Sequence, residues 1–185
     1  IGLVEVLGRE QDRGARGEIK ARTQGSLSVS GRRKPRLGIL LSGRGSNFEA
    51  IANNVLAGKL DAEIAMVFSN KAAAPGLALA KELGFPTATL SSAGVERVHF
   101  DAKVAEILQG SGIDLVCLAG YMRLLSGRFV SQFSGRILNI HPSLLPAFPG
   151  LDAQHQAFSH GAKITGCTVH FVDENLDNGP ILLQA

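Results

Sequence analysis

Two polar side chains that suit catalysis stand two positions apart at the end of an apolar stretch. Residues 136–149 read RILNIHPSLLPAFP, which places Asn139 and His141 just before a segment with three prolines. Positions two apart in a β-strand point to the same face, so the amide and the imidazole are expected side by side. The prolines exclude further helix or central sheet. Such a pair on a rigid support is typical of a catalytic site, although polar residues that only cap a strand give the same pattern.

A carboxylate close to Asn139 and His141 would adapt the histidine to catalysis. The acidic loop GCTVHFVDENLDNGPI, residues 166–181, contains Asp173 and Asp177 and by default is a solvated turn. If the loop folds back beside the preceding strand, a carboxylate, an imidazole and an amide meet. A carboxylate beside a histidine raises the pKa of the imidazole and fixes its orientation, as a general base or an oxyanion stabiliser requires.

A second kind of site is indicated by the glycines of LLSGRGSNFEA, residues 40–50. Gly43, Gly45, Ser46 and Asn47 lead from a strand into a helix, where backbone N–H groups and the helix N-terminus attract anions. The pattern lacks the third glycine of the dinucleotide fingerprint and the GK[ST] of a Walker A loop. It predicts either a phosphate-binding loop or an ordinary turn with a Ser N-cap.

An apolar surface is predicted after the strand DLVCLAG, where the chain continues as YMRLLSG. Tyr121, Met122, Leu124 and Leu125 surround Arg123 at the carboxyl edge of the predicted sheet. Such a surface suits a pocket for a flat ring system, although a helix that packs on the sheet is the simpler explanation.

The elements that must position these groups alternate along the chain. Strand character is strongest in RLGILL, AEIAMVFSN, PTATL, DLVCLAG, RILNIH, KITGCTVHFV and GPILLQA, and the segments SNFEAIANNVLAGKL, APGLALAKELG, VERVHFDAKVAEILQG and SGRFVSQFSG are predicted helices. Fully apolar strands between amphipathic helices predict an α/β fold: an open, doubly wound, mostly parallel sheet with helices on both faces. Such Rossmann-like folds bind ligands at the carboxyl ends of the strands.

The charge of the chain is unevenly distributed. The pI is about 9.1, but residues 1–35 hold eight basic and four acidic residues, which leaves 11 basic and 12 acidic residues for 36–185. The basic segment shows no apolar periodicity and contains six glycines, so we expect a disordered N-terminal extension. A nucleic-acid-binding face on the folded part is therefore disfavoured.

The cysteines and the lengths of the apolar runs indicate the cellular compartment of the protein. Cys117 and Cys167 lie in apolar strands without metal-ligand spacing, which favours buried, reduced thiols in a cytoplasmic protein. The apolar runs are shorter than the roughly 18 residues of a membrane span, and without a visible h-region no secretory signal is expected. With 185 residues, 45% of them apolar, one domain is expected.

Taken together, five strings resemble one known family in order and interval. They are SGRGSN, VFSNKAAAPGL, LAGYMRLLS, RILNIHPSLLPAFPGL and GCTVHFVDENLDNGPILLQA. The family is that of the phosphoribosylglycinamide formyltransferases, folate-dependent enzymes of purine synthesis. The resemblance runs from about residue 36 to 185, the whole chain except its N-terminal extension.

The resemblance implies that a formyl group passes from 10-formyltetrahydrofolate, a co-substrate, to the primary amine of glycinamide ribonucleotide, without a metal. The motif NIHPSLLP supplies a catalytic Asn and His, matched by Asn139 and His141, and LDxGP supplies a catalytic Asp, matched by Asp177. Asn139 and protonated His141 would donate hydrogen bonds to the oxyanion. Asp177 would support the imidazolium and relay a proton through water.

Binding residues follow from the same resemblance. Gly45, Ser46 and Asn47 match the loop that holds the nucleotide's phosphate. The residues implied for the folate are Arg97, Met122, Arg123, Leu124, Leu125, Asn139, Asp173 and Asp177. The implied partners are these two small molecules, with no nucleic acid and no membrane, for a cytoplasmic monomer or homodimer.

The sequence departs from the family pattern in three places. Residues 1–35 have no counterpart, and the chain stops at Ala185 in the middle of a strand, so a formyltransferase domain over 36–185 that is truncated at the C-terminus is expected. Asp152 stands where some relatives have a histidine, which leaves the contacts at that position open.

Three other functions compete with this one. Formyltetrahydrofolate hydrolase and methionyl-tRNA formyltransferase share the Asn, His and Asp arrangement, but the string SGRGSN favours a ribonucleotide acceptor. A tRNA enzyme is also disfavoured by the net charge of −1 over residues 36–185. A non-catalytic nucleotide-binding module would use only residues 43–47 and would leave Asn139, His141 and Asp177 unexplained.

Overall fold

The computed structural model describes residues 33–185, in which a seven-stranded sheet is flanked by five helices. The strands are β1 Arg36–Leu41, β2 Glu63–Ser69, β3 Thr87–Thr89, β4 Leu115–Leu118, β5 Ile137–His141, β6 Thr168–Phe171 and β7 Ile181–Gln184. The helices are α1 Ser46–Leu56, α2 Pro75–Glu82, α3 Arg97–Gly110, α4 Gly127–Gln132 and α5 Ala153–Ser159.

The strand order of the sheet is β3-β2-β1-β4-β5-β6-β7. Strands β1 to β5 are parallel, whereas β6 pairs antiparallel with β5 and β7 pairs antiparallel with β6. The predicted mostly parallel, doubly wound sheet is confirmed. The order reverses between β1 and β4, and the crevice at the carboxyl ends of these strands is where folds of this class bind ligands.

The sheet separates two apolar cores. Ile39 of β1 packs into one core with Phe48 of α1, and its neighbour Leu40 packs into the other core with Phe100 of α3. Consecutive residues of a strand alternate between faces, which is why one strand supplies both cores. Each of these four side chains has no exposed surface, and such burial contributes about 1.5–3 kcal/mol per residue.

The first helix begins differently from the prediction. A Ser N-cap was one of the two predictions for this turn, but Gly45 occupies the capping position with a left-handed φ of 81°, and no side chain makes a capping hydrogen bond. A Cβ on Gly45 would lie 2.7 Å from the Cα of Gly76 at the start of α2. Glycine is therefore required at position 45 for both its backbone conformation and the close approach of the two helices.

Two further elements differ from the predicted ones. Helix α5 was not predicted, because its sequence AQHQAFS buries only Ala153 and Ala157 and so shows little apolar periodicity. The predicted strand that starts at Lys163 begins only at Thr168, although Cys167 and Ala185 exchange backbone hydrogen bonds of 2.7 and 3.1 Å beside it.

The predicted disordered extension, residues 1–35, lies outside the described residues except for its last three. Arg33 donates two hydrogen bonds of 2.6 and 2.7 Å to Asp114, and the carbonyl of Pro35 accepts one from Glu63. Contacts with the sheet domain therefore extend to Arg33.

The other predictions about the chain as a whole concern its cysteines and helices. Cys117 is buried and unpaired, and burial raises the pKa of its thiol to about 12. Cys167 is unpaired and partly buried. From residue 33 onward, every helix is too short or too polar to cross a membrane.

The contact between the two glycines gives a stability prediction. In Gly76→Ala the new Cβ lies 2.9 Å from the Cα of Gly45 and 3.1 Å from the carbonyl oxygen of Gly43, so backbone must move. We expect a loss of about 1–3 kcal/mol in the free energy of unfolding, measured by urea denaturation. Gly110→Ala is the matched control, because a Cβ there meets open space within a helix, and an equal loss in both variants would contradict the packing account.

Candidate active site

Strand β5 carries Asn139 and His141 to the carboxyl edge of the sheet, at the position that the sequence predicted. Its antiparallel neighbour β6 sets Asn139 opposite His170 and His141 opposite Thr168. Both predicted residues approach Asp177, so they share a face as the spacing of two required. The loop between β6 and β7 brings Asp177 back over the end of β5.

The carboxylate of Asp177 is the point at which the polar groups meet. Its Oδ2 lies 3.3 Å from Nδ1 of His141 and accepts a 2.8 Å hydrogen bond from the backbone N–H of Gly150. Its Oδ1 lies 3.5 Å from Nδ2 of Asn139. The side chain is 9% exposed, and the backbone is left-handed with a φ of 49°, a conformation that Asp adopts more readily than most residues. The predicted meeting of amide, imidazole and carboxylate is present.

The imidazole of His141 is held from its other side by the main chain. Its Nε2 lies 2.8 Å from the carbonyl oxygen of Phe148, which also accepts a 3.3 Å hydrogen bond from Ser143. Phe148 has a φ of 53°, which is uncommon for an aromatic residue and turns this carbonyl toward the histidine. Both ring nitrogens of His141 therefore face acceptors, so a protonated imidazole donates to both.

The proline-rich segment is fastened to β6 by Thr168. The buried hydroxyl of Thr168 donates to the carbonyl of Ser143 at 2.7 Å and accepts from the N–H of Leu145 at 3.0 Å. Ser143 in turn donates to the carbonyl of Ala147 at 2.6 Å. These hydrogen bonds hold the proline-rich segment in place and form the rigid support that the prolines predicted.

His170 is a member of the site that the sequence did not single out. Its Nδ1 lies 2.9 Å from the carbonyl oxygen of Phe171, and its Nε2 lies 3.2 Å from Nδ2 of Asn139. A histidine within the apolar string TVHFV was the available signal. Its meaning depended on the antiparallel pairing of β6 with β5, which the string does not reveal.

The surroundings of His170 favour its neutral form. Burial lowers the pKa of His170 below its usual value, and this effect outweighs the opposing hydrogen bond to Phe171 and the charge of Asp177. In the neutral ring, Nδ1 donates to the carbonyl of Phe171, which leaves the Nε2 lone pair to accept from Asn139. His170 thus fixes the amide orientation of Asn139.

The hydrogen bonds of the site fall into two groups by length. Bonds to the main chain are 2.8 or 2.9 Å long for His141, His170 and Asp177. Contacts among the side chains themselves are 3.2–3.7 Å long. The main chain therefore sets the orientations, while the longer contacts are weak enough to exchange when a substrate enters.

A cavity of about 420 Å³ opens beside these polar groups. One side is the segment that we call the apolar wall, residues 120–125, where Met122 and Leu124 are 64% and 55% exposed. The other side is the loop 173–177. The volume is within the usual range for small-molecule sites, and exposed apolar side chains at such a place suit a bound ring system.

The cavity separates the predicted folate residues into two groups. Those that line it are Met122, Arg123, Leu124, Leu125, Asn139, Asp173 and Asp177. Arg97 is exposed at the first residue of α3 and is not among the lining residues. Asp152, whose contacts were open, lines the cavity with a left-handed φ of 55° ahead of α5.

The predicted anion loop lies at a separate place, where β1 leads into α1. Ser46 is exposed and Asn47 half-buried at the first turn of the helix, whose leading N–H groups have no partners within the helix. Ser42, just before the loop, accepts a 2.9 Å hydrogen bond from the N–H of Met122. This bond links the start of the anion loop to the apolar wall.

A metal centre has no counterpart in the geometry of residues 33–185. Over that range no three His, Cys, Asp or Glu residues are grouped in a way that would hold an ion. The acidic and basic side chains that line the cavity are the carboxylates Asp152, Asp173, Glu174 and Asp177, the guanidinium of Arg123 and the imidazoles of His141 and His170.

Comparisons with known proteins agree with the geometry. The sequence model of the family described as formyl transferase matches residues 36–185. The chain is 46% identical to phosphoribosylglycinamide formyltransferase of Escherichia coli strain K12, over 80% of this chain and 70% of that protein. It is 47% identical to human trifunctional purine biosynthetic protein adenosine-3 over 83% of its length, but it spans only 15% of that protein.

A solved structure is similar over most of the chain as well. The crystal structure of glycinamide ribonucleotide transformylase 1 from Symbiobacterium toebii matches with a TM-score of 0.83 and 49% identity. The match covers 88% of this chain and 77% of that one. At this identity, the likeness extends beyond the fold to the local sequence.

The lowered pKa of His170 predicts a pH dependence of stability. The unfolded histidine takes up a proton near its usual pKa of 6.5, whereas the folded one stays neutral to lower pH, so this contribution is present above about pH 6.5 and is lost as pH falls. Melting temperatures between pH 7.5 and 5.5 should fall less in His170→Gln than in wild type. His155→Gln, an exposed control, should keep the wild-type slope, and equal slopes in all three proteins would refute the assignment.

Proposed function

Because the chain belongs to the formyl transferase family, we propose that it transfers the formyl group of 10-formyltetrahydrofolate to the amine of glycinamide ribonucleotide in purine synthesis. The observation that carries this proposal is the convergence of Asn139, His141 and Asp177 at the polar end of the cavity. The names of the similar bacterial proteins support the choice of substrates.

Formyl transfer requires three events around the formyl carbon. The nucleotide's amine attacks the formyl carbon, the formyl oxygen gains negative charge, and one proton must pass from the amine to the folate nitrogen that leaves. Preorganised hydrogen-bond donors stabilise the oxyanion, and a nearby acid–base group moves the proton. All the groups needed are side chains of β5 and of the loop after β6.

Asn139 and His141 are the proposed donors to the oxyanion. The 3.5 Å contact of Asn139 with Asp177 is long, so its N–H is free to turn toward a formyl oxygen while His170 continues to hold the amide. Protonated His141 can exchange its 3.3 Å contact with Asp177 in the same way. The 2.8 Å bond to the carbonyl of Phe148 keeps the ring in place meanwhile.

Asp177 is the proposed proton relay. Its Oδ2 keeps the N–H of Gly150, so the carboxylate stays oriented when its longer contacts exchange. Its negative charge stabilises the imidazolium of His141, and through water it accepts the amine proton and returns it to the leaving nitrogen.

The two substrates would bind on either side of these residues. The flat ring of the folate suits the apolar wall, with the loop 173–177 opposite. The nucleotide's phosphate suits Gly45, Ser46 and Asn47 at the N-terminus of α1, where backbone N–H groups attract an anion. Arg97 is proposed to contact the folate only beyond the cavity, from the exposed start of α3.

Removal of the charged groups tests the assignment. We expect His141→Ala and Asp177→Asn each to lower kcat for formyl transfer by about 10²–10⁴-fold, because both act mainly in the transition state. The double variant should lose far less than the product of the two factors, since the residues act as a unit. Folate consumption and formylated nucleotide are both measured, which also detects hydrolysis.

The controls for this assay are a remote substitution and the fold. Glu106→Gln changes an exposed carboxylate on α3 and should keep wild-type kinetics. Circular dichroism checks that each variant is folded. Full activity in either single variant with an intact fold would remove that residue from the mechanism.

The anion loop is tested through the two Michaelis constants. Ser46→Asp places a carboxylate beside the phosphate, and like charges in a narrow loop repel. The KM for the nucleotide should rise at least tenfold while the KM for the folate changes little. Ser46→Asn introduces an uncharged side chain of nearly the same size as aspartate and should raise the KM for the nucleotide much less. An equal rise in both constants would mean that the loop is only a turn.

A further inference from the structure

We propose that Asp101, which does not line the cavity, is a positioning residue for the folate because its carboxylate holds the end of the apolar wall. The inference rests on the proposed function, since it takes the wall as the folate's binding surface. It adds a residue from α3, an element outside the cavity lining, to the requirements of the site.

The carboxylate of Asp101 binds the main chain directly after the apolar wall. Asp101 is 1% exposed, and its Oδ2 accepts a 2.6 Å hydrogen bond from the N–H of Ser126. Ser126 follows the wall directly and is the N-cap of α4, where its hydroxyl accepts from the N–H of Phe129. A short hydrogen bond to a charged acceptor is stronger than one between neutral groups, so the bond to Asp101 holds the N–H of Ser126 firmly.

The wall needs such a bond because it has no regular structure of its own. Residues 119–126 lie between β4 and α4 without helix or strand. Two side chains accept hydrogen bonds from backbone N–H groups of this segment: Ser42 from Met122 within the wall, at 2.9 Å, and Asp101 from Ser126 directly after it. Together with the 3.0 Å hydrogen bond from the N–H of Ser42 to the carbonyl of Gly120, these two bonds position the wall at the cavity.

The residue next to Asp101 also contacts the wall. Phe100 lies under the guanidinium of Arg123, whose central carbon is 4.5 Å from the ring centroid. Such cation–π contact adds attraction between α3 and the wall. Two consecutive residues of α3, neither of which lines the cavity, thus contact the segment 123–126.

The buried carboxylate of Asp101 is kept at a cost in stability. Among residues 33–185, Oδ1 of Asp101 and Nε of Arg123 are buried without a hydrogen-bond partner. Burial, together with the nearby charge of Asp101, raises the pKa of Tyr121. Buried polar atoms without partners cost stability, and an apolar side chain would avoid that cost. The acceptor for Ser126 is what the carboxylate supplies in return.

Ser126 offers a matched pair of variants that isolates this bond. Its φ of −75° already suits proline, so Ser126→Pro removes the N–H without requiring a new φ. Ser126→Ala removes the capping hydroxyl but keeps the N–H. We expect Ser126→Pro to bind 10-formyltetrahydrofolate at least tenfold more weakly than Ser126→Ala, in titration calorimetry without nucleotide. The Kd for glycinamide ribonucleotide should differ less than twofold between them.

Asp101 itself gives a second, independent comparison. Asp101→Asn keeps an oxygen that accepts from Ser126 and should retain folate affinity within about threefold of wild type. Asp101→Ala removes the acceptor and should lose at least tenfold. Melting temperatures are recorded for all variants, and if Asp101→Ala does not fold, the Ser126 pair alone decides.

The outcomes separate this inference from the proposed function. If the wild-type chain binds no folate, the proposed function fails and the inference fails with it. If the wild type binds folate and Ser126→Pro binds it as well as Ser126→Ala, only the role of Asp101 is overturned. Equal losses for folate and nucleotide also overturn it, because they indicate a general structural defect.

Discussion

The site depends on one buried carboxylate that joins two parts of the chain. Asp177 arrives on the loop between β6 and β7, and it meets the end of β5 at His141 and Asn139. A charge that is only 9% exposed costs several kcal/mol unless it is paired and hydrogen-bonded. The N–H of Gly150 and the two polar side chains of β5 supply those partners, so the loop's conformation and the site's electrostatics are a single arrangement.

The main chain holds the functional groups in place, whereas the contacts among their side chains can exchange with a substrate. Carbonyls of Phe148 and Phe171 and the N–H of Gly150 hold the histidines and the carboxylate with short bonds. The contacts among the functional groups are longer and can be replaced by contacts with a substrate. Such a division lowers the reorganisation needed when charge develops on a substrate, which is how preorganised sites act. The antiparallel pairing of β5 and β6 makes it possible by setting Asn139 opposite His170.

Local patterns in the sequence predicted the parallel part of the sheet and the shared face of Asn139 and His141, because both follow from periods of a few residues. The pairing of β6 with β5 is a non-local choice, so the role of His170 could not be derived from the string that contains it. Gly45 replaced the expected Ser cap because of its contact with Gly76, which is 31 positions away in the sequence. The place of Arg97 outside the cavity lining depends likewise on how α3 packs.

The most direct test of the account is the fate of a labelled formyl group. The wild-type chain is mixed in excess with 10-[¹⁴C]formyltetrahydrofolate and glycinamide ribonucleotide, and the label is separated into formylated nucleotide and formate. If Asn139, His141 and Asp177 act on an amine bound beside the folate, nearly all of the label appears in the nucleotide, and omission of the nucleotide leaves the folate formylated. Label that appears as formate at the same rate with or without the nucleotide would contradict formyl transfer to the amine.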